Sequence, residues 1–385
     1  MAPEHPSPMP NSGRDGPADN QVLLSRLDDL FTALQADGRT VVGPAVRGHA
    51  IVLTEIGGAA ELPYGRRTEV EAGTYRLRPG DERLAFSHTS GPQSWKQVLH
   101  PPSQRLWSAD RSEDGFAVTD EPAPPRRLAL FGVRPCDLRA IGVLDHVLGD
   151  GERYAARRAE ILIVAVNCTE PGGACFCVSA GGGPGADTGY DIVLTERPDG
   201  TYLASSGTAE GEAVLARIPT TPASAADIAS ATQAVESAAT RMGRTLPEVD
   251  LRTLLAGHRA DPQWDDVAER CLTCGNCTMV CPTCFCTSVT DTTDLTGDHA
   301  ERWESWESCF DLDFSYLHGG PVRDSRAGRY RHWLTHKFGT WHDQFGESGC
   351  VGCGRCIAWC PVGIDVTAEL HALNAHPPTT AEDSP

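Results

Sequence analysis

The sequence predicts a two-part chain of mixed α+β / α/β class: an N-terminal mixed domain with a βαβ parallel-sheet unit, then a C-terminal α-helical domain. Three observations carry this. "RLALFG", "DLRAIGVLDHVL" and "ILIVAVN" follow one another as buried strand, amphipathic helix and buried strand, the order of a parallel crossover. From about residue 250 onward strand signals fade, and helical patterns alternate with cysteine runs. A chain of 385 residues has room for two or three domains with real cores. The expected division is a polar tail at 1–20, a mixed α/β domain at 21–250, a helical domain at 251–373 and a second tail at 374–385.

Taken in order, Val22, Leu23, Leu27, Leu30, Phe31 and Leu34 recur at helical spacing, and "ADG" stops a helix expected at about 21–36. The β-branched runs "TVVGPAV" and "AIVLTEI" predict strands. After the crossover, "ASAADIASATQAVESAATRMG" and "VDLRTLLAGHRA" read as helices. "GGGPG" at 181–185 lacks the G-x-G-x-x-G context of a dinucleotide site and reads as a flexible loop.

The formal net charge of −19 argues against nucleic acid as a partner. Lys96 and Lys337 are the only lysines; arginine supplies the rest of the positive charge, a bias that genomic composition explains as readily as mechanism. Fifteen cysteines are many for this length. The N-terminus shows no apolar leader, and "ILIVAVNC" is too short to span a bilayer. The expectation is a cytoplasmic protein with no membrane segment, whose clustered thiols do metal or redox work.

One motif occurs twice, C-x-x-C-x-x-C-x-x-x-C-P. Cys271, Cys274, Cys277 and Cys281 form the first run, and Cys350, Cys353, Cys356 and Cys360 the second. In two-cluster proteins with this run the fourth cysteine ligates the other cluster. The inferred ligand sets are therefore Cys271, Cys274, Cys277 with Cys360, and Cys350, Cys353, Cys356 with Cys281. Zinc ribbons also use C-x-x-C pairs, but they leave the third cysteine and the repeated C-P unexplained. Two [4Fe–4S] clusters are expected, in an α-helical ferredoxin domain whose runs are unusually far apart. The intervening "RAGRYRHWLTHKFGTWH" reads as a basic segment lying over the clusters, with a solvated helix face as the alternative.

Seven cysteines remain. Cys136 follows the first crossover strand, while Cys168, Cys175 and Cys177 follow the second. Parallel strands emerge at one sheet edge, so these four make a candidate third [4Fe–4S] site, with redox-active or buried thiols as alternatives. Cys284, Cys286 and Cys309 are expected to pack behind a cluster, or else to join the N-terminal set.

"FGVRPCDLRAI…LD", "NCTEP…CFC", "CLTCGNCTMVCPTCFC", "RYRHWLTHKF" and "CVGCGRCIAWCPVGID" occur in this order. Together they resemble the beta subunit of cytoplasmic nickel–iron hydrogenases and sulfhydrogenases, and the corresponding iron–sulfur subunit of anaerobic sulfite reductase. The resemblance covers about residues 128–370, with "WESC" in place of an expected W-D-S-C. It implies an electron-transfer role without substrate chemistry of its own. The implied partners are a flavin and NAD(P)H-binding subunit, together with a catalytic nickel–iron hydrogenase subunit or a siroheme sulfite reductase. No triad, paired acid–base carboxylates or phosphate loop is evident. A stand-alone iron–sulfur sulfur or disulfide reductase is the rival from a different class.

Overall fold

In the computed structural model, which describes residues 21–121 and 126–378, the chain opens with strand β1 (Val22–Leu24), helix α1 (Asp28–Ala36) and the hairpin β2 (Thr40–Arg47)–β3 (Ala50–Glu55). The hairpin β4 (Arg66–Glu71)–β5 (Thr74–Pro79), the short helix α2 (Lys96–Leu99) and the hairpin β6 (Ser103–Ser112)–β7 (Gly115–Asp120) follow. The crossover is β8 (Leu128–Val133), α3 (Pro135–Leu148), α4 (Glu152–Ala159) and β9 (Ile161–Val166). Then come β10 (Ile192–Glu196), β11 (Tyr202–Ser206), α5 (Ala209–Leu215), β12 (Thr221–Pro222) and α6 (Ala225–Ala239). The expected tail at 1–20 lies outside the described residues.

Eight of these strands form one sheet in the order β12-β1-β11-β10-β9-β8-β2-β3. Its centre, β2, β8, β9 and β10, is parallel. Every residue of β8 and β9 is buried, as their unbroken apolar sequences require of strands covered on both faces. One face packs Phe31, Phe86 and Phe131; the other packs Leu130, Leu138, Ile141 and Ile163. The helix expected at 21–36 begins only at Asp28. Val22–Leu24 pair instead with β11 and β12, a tertiary pairing that overrides local periodicity.

The C-terminal part is helix-rich: α7 (Leu251–Gly257), α8 (Gln263–Arg270) and α9 (Asn276–Met279), then α10 (Arg326–Thr335), α11 (Trp341–Phe345), α12 (Arg355–Ala358) and α13 (Val366–Ala375). A π-helical turn, His336–Thr340, joins α10 to α11. Helix α13 extends to Ala375, into the start of the expected second tail; residues 379–385 lie outside the described ones. Trp264, Leu334, Phe338, Leu370 and Leu373 form a second core below the cysteine runs.

A hairpin interrupts these helices. Strands β13 (Thr287–Thr293) and β14 (His299–Trp306) join β6 and β7 in a sheet of order β13-β14-β6-β7. β14 pairs with β6 from Ser305 opposite Ser103 to His299 opposite Asp110. Spans 21–250 and 251–373 therefore share a sheet, which no local sequence pattern announces.

Candidate metal centres

The two runs adopt the same local structure. In each, the residue before the second cysteine and the glycine after it have positive φ: Thr273 (52°) and Gly275 (70°), Gly352 (67°) and Gly354 (73°). A short helix, α9 or α12, begins immediately afterwards. These left-handed residues fold the chain back, and the first of each pair turns its N–H to sulfur. Thr273 N–H donates to Cys271 Sγ and Gly352 N–H to Cys350 Sγ, both at 3.4 Å. Ile364 N–H donates to Cys360 Sγ at 3.3 Å. Such donors stabilise sulfur carrying negative charge.

Thr273 is the one non-glycine residue with positive φ among the described residues, where the second run has Gly352. A left-handed backbone costs an L-residue about 1–2 kcal/mol. Thr273→Gly is therefore expected to stabilise the protein by about 0.5–1 kcal/mol, the gain being trimmed by the greater freedom of glycine in the unfolded chain. Anaerobic thermal denaturation reads this, and a lower midpoint for the variant would contradict it.

The runs fold against each other. Cys271, Cys274, Cys277 and Cys360 line one cavity, with Cys356 at its edge and Tyr330, Trp333 and Phe310 as walls. Burial pushes up the thiols of Cys271 and Cys277, and Cys274 and Cys360 add to the rise. Burial likewise raises Cys350, to about 12, and raises Cys353 and Cys356; Cys281 is among the charges acting on all three. Cys281 itself goes the other way. A hydrogen bond from the Cys284 thiol, with the Lys337 ammonium beside it, holds Cys281 well below the thiol range. Each fourth cysteine thus stands with the three of the other run. Asn276 of the first run also donates to the Trp359 carbonyl of the second.

The four N-terminal cysteines also come together. Cys136, Cys168, Cys175 and Cys177 line a cavity at the β8 and β9 ends, joined there by Cys353, His88 and Arg134. Burial raises all four thiols, Cys175 and Cys177 to about 12. Arg134, itself buried, ties this edge together: it donates to the Phe86 and His88 carbonyls, each at 2.8 Å, and lies 3.9 Å from Cys168 Sγ. Gly172 N–H donates to Cys175 Sγ at 3.4 Å. The glycine-rich stretch expected to be loose is pinned, since Cys168 N–H donates to the Pro184 carbonyl and Gly182 N–H to that of Cys177.

This edge docks on the second run. Phe176 N–H donates to the Gly352 carbonyl at 2.9 Å. A Cβ on Gly352 would lie 2.5 Å from Cys177 Cα. Arg355, one residue before Cys356, is buried with Asp137, one residue after Cys136, in an ion pair at 2.9 Å.

The donor sets suit iron–sulfur groups. They are nearly all sulfur. The walls of the first cavity also carry buried polar atoms without a protein partner, Tyr330 Oη and Trp333 Nε1. Buried donors without acceptors mark a place where another group accepts. The "RYRHWLTHKF" segment lies against the first cavity through Tyr330 and Trp333, and Lys337 lies beside Cys281. Sequence reasoning passed over Arg134 and Arg355, although "VRPCD" and "CGRC" contain them.

The fold and cysteine array define an iron–sulfur protein. A family model described as a 4Fe-4S dicluster domain matches residues 270–364, giving two [4Fe–4S] clusters. Sulfhydrogenase 2 subunit beta of Pyrococcus furiosus is 34% identical over 300 residues, covering 76% of this chain and 86% of that protein. The chain belongs to this family of hydrogenase-related beta subunits. No solved structure matches. Among the described residues, no helix is long and apolar enough to cross a membrane.

Proposed function

We propose that this chain is a cytoplasmic relay, carrying electrons between two partners: a flavin and NAD(P)H-binding subunit, and a catalytic nickel–iron hydrogenase subunit. The observation that carries this reading is the contiguity of the cysteine sets. Cys353 belongs to the second run and also lines the N-terminal cavity. Cys277 of the first run acts on Cys356 of the second. Three sites thus stand in sequence without an intervening layer of protein.

In this reading Cys271, Cys274, Cys277 and Cys360 hold one cluster, and Cys350, Cys353, Cys356 and Cys281 the other. Cys136, Cys168, Cys175 and Cys177 hold a third. Bound clusters supply one-electron oxidation and reduction. The chain's residues hold the sulfurs rigid, keep water out and supply N–H donors and cations. Because burial keeps most of these thiols protonated, loading with iron has to release protons. Hydrogenase is favoured over sulfite reductase by the sulfhydrogenase relative.

Cys136→Ser is expected to remove about four irons, with matching sulfide, from the anaerobically purified chain while the dicluster spectrum persists. Unchanged iron would refute the N-terminal cluster. The relay itself predicts that NAD(P)H bleaches the clusters only when the flavin-bearing partner is present. Failure to bleach in its presence would overturn the relay.

A further inference from the structure

Three cysteines belong to none of these sets, and hairpin closure brings them together. Cys284 and Cys286 immediately precede β13, and Cys309 follows β14. At the base of the hairpin Glu307 N–H donates to the Cys286 carbonyl at 2.9 Å. All three cysteines line one cavity, whose walls include Trp333, Trp341 and Lys337. It shares no residue with the N-terminal cavity, and Trp333 is the wall between it and the cavity of the first run.

Two further observations say what this cavity accepts. Trp341 is 3% exposed, and its indole N–H lacks an acceptor among the described residues. The second concerns charge. The chain's only two lysines, at 2% and 7% exposure, are both buried here. Lys337 lies in the π-helical turn, a distortion frequent at functional sites, and its ammonium reaches Thr283 Oγ1 at 2.9 Å and the Gly349 carbonyl at 3.2 Å. Lys96 donates to the Cys284 carbonyl at 2.9 Å and sits 3.7 Å from the centre of the Trp306 ring. Lys337 also faces Cys281, whose lowered thiol gives it one negative neighbour, whereas the carbonyl that Lys96 meets is neutral. Burying an ammonium is costly unless negative charge stands nearby, and a compact ammonium fits where a planar guanidinium does not. The scarcity of lysine therefore has a spatial pattern that composition alone does not give: both positions face the "CPTCFC" segment.

We propose that Cys284, Cys286 and Cys309 hold an additional iron–sulfur centre, a three-thiolate cluster counter-charged by Lys96 and Lys337. Three thiolates suffice for a [3Fe–4S] unit. A [4Fe–4S] unit there would take its last ligand from the other groups of the wall, Glu307 or His336. Cys286 acts on Cys309, and Cys309 in turn on Cys277 of the first run, so the centre adjoins the dicluster as a branch of the array.

The test uses the full chain, purified and reconstituted anaerobically, with iron, acid-labile sulfide and Mössbauer spectra. Cys286→Ser/Cys309→Ser is expected to lose about three or four irons with equal sulfide, leaving the components removed by Cys136→Ser and Cys350→Ala intact. Unchanged iron and sulfide overturn the proposal, as does loss of iron without sulfide, which would indicate a lone ion. Should the double variant not fold, the iron left in Cys136→Ser decides: about eleven or twelve irons support the centre, about eight refute it. Failure of the dicluster assignment is separately visible, because Cys350→Ala would then remove no cubane signal.

Discussion

Cys360→Ala is expected to destroy the cluster whose other ligands lie far upstream in sequence, and to spare the one bound by its own neighbours. The reason is the grouping of sulfurs: Cys360 shares a cavity with Cys271, Cys274 and Cys277, while Cys281 stands among Cys350, Cys353 and Cys356. Pairs of substitutions make the test quantitative. Cys271→Ala with Cys360→Ala removes two ligands of one cluster, so the pair should lose about four irons, no more than either alone. Cys271→Ala with Cys281→Ala strikes both clusters and should lose about eight. Were each run to hold its own cluster, these two outcomes would be exchanged. Iron and sulfide analysis with electron paramagnetic resonance reads the difference.

The second large effect concerns the buried pair of Arg355 and Asp137, whose side chains are 2% and 3% exposed. Removing one partner of such a pair typically costs about 3–5 kcal/mol, but the two removals are not equivalent here. Arg355→Met leaves a carboxylate buried next to Cys136 and close to loaded clusters, whose net charge is negative. Asp137→Asn leaves a cation that still feels Cys353 and Cys136, both of which act on Arg355. Arg355→Met should therefore reach about 3–5 kcal/mol, and Asp137→Asn clearly less. Anaerobic thermal midpoints and rates of iron release on the loaded protein order the two variants. An Asp137→Asn protein as unstable as Arg355→Met would show that the pair is an isolated contact, insensitive to the clusters.

Legibility in the sequence followed the range of the interactions. The crossover could be read because β8 and β9 are unbroken apolar runs and α3 has its own periodicity. Its consequence, Cys136 and Cys168 at one edge, followed from topology alone. The cysteine runs were legible because three ligands of each come from one turn. Val22–Leu24 misled, since their partners in β11 and β12 are distant and helical spacing was the sole local clue. The hairpin β13–β14 was missed for the same reason: its stabilising neighbour is β6. The lysines were noticed as a composition bias, but only folding shows them converging on Cys281 and Cys284. Cys284, Cys286 and Cys309 stayed ambiguous because the hairpin that unites them was not anticipated.

That hairpin also bears on inheritance. A ferredoxin segment is ordinarily a portable cassette, carried from protein to protein by fusion. Here β14 lies between β13 and β6, so the cassette lends a strand to its host and receives one in return. Excision would bare the rim of β6 on one side and of β14 on the other, each a template for indiscriminate pairing. Transplantation is penalised at both ends of the graft.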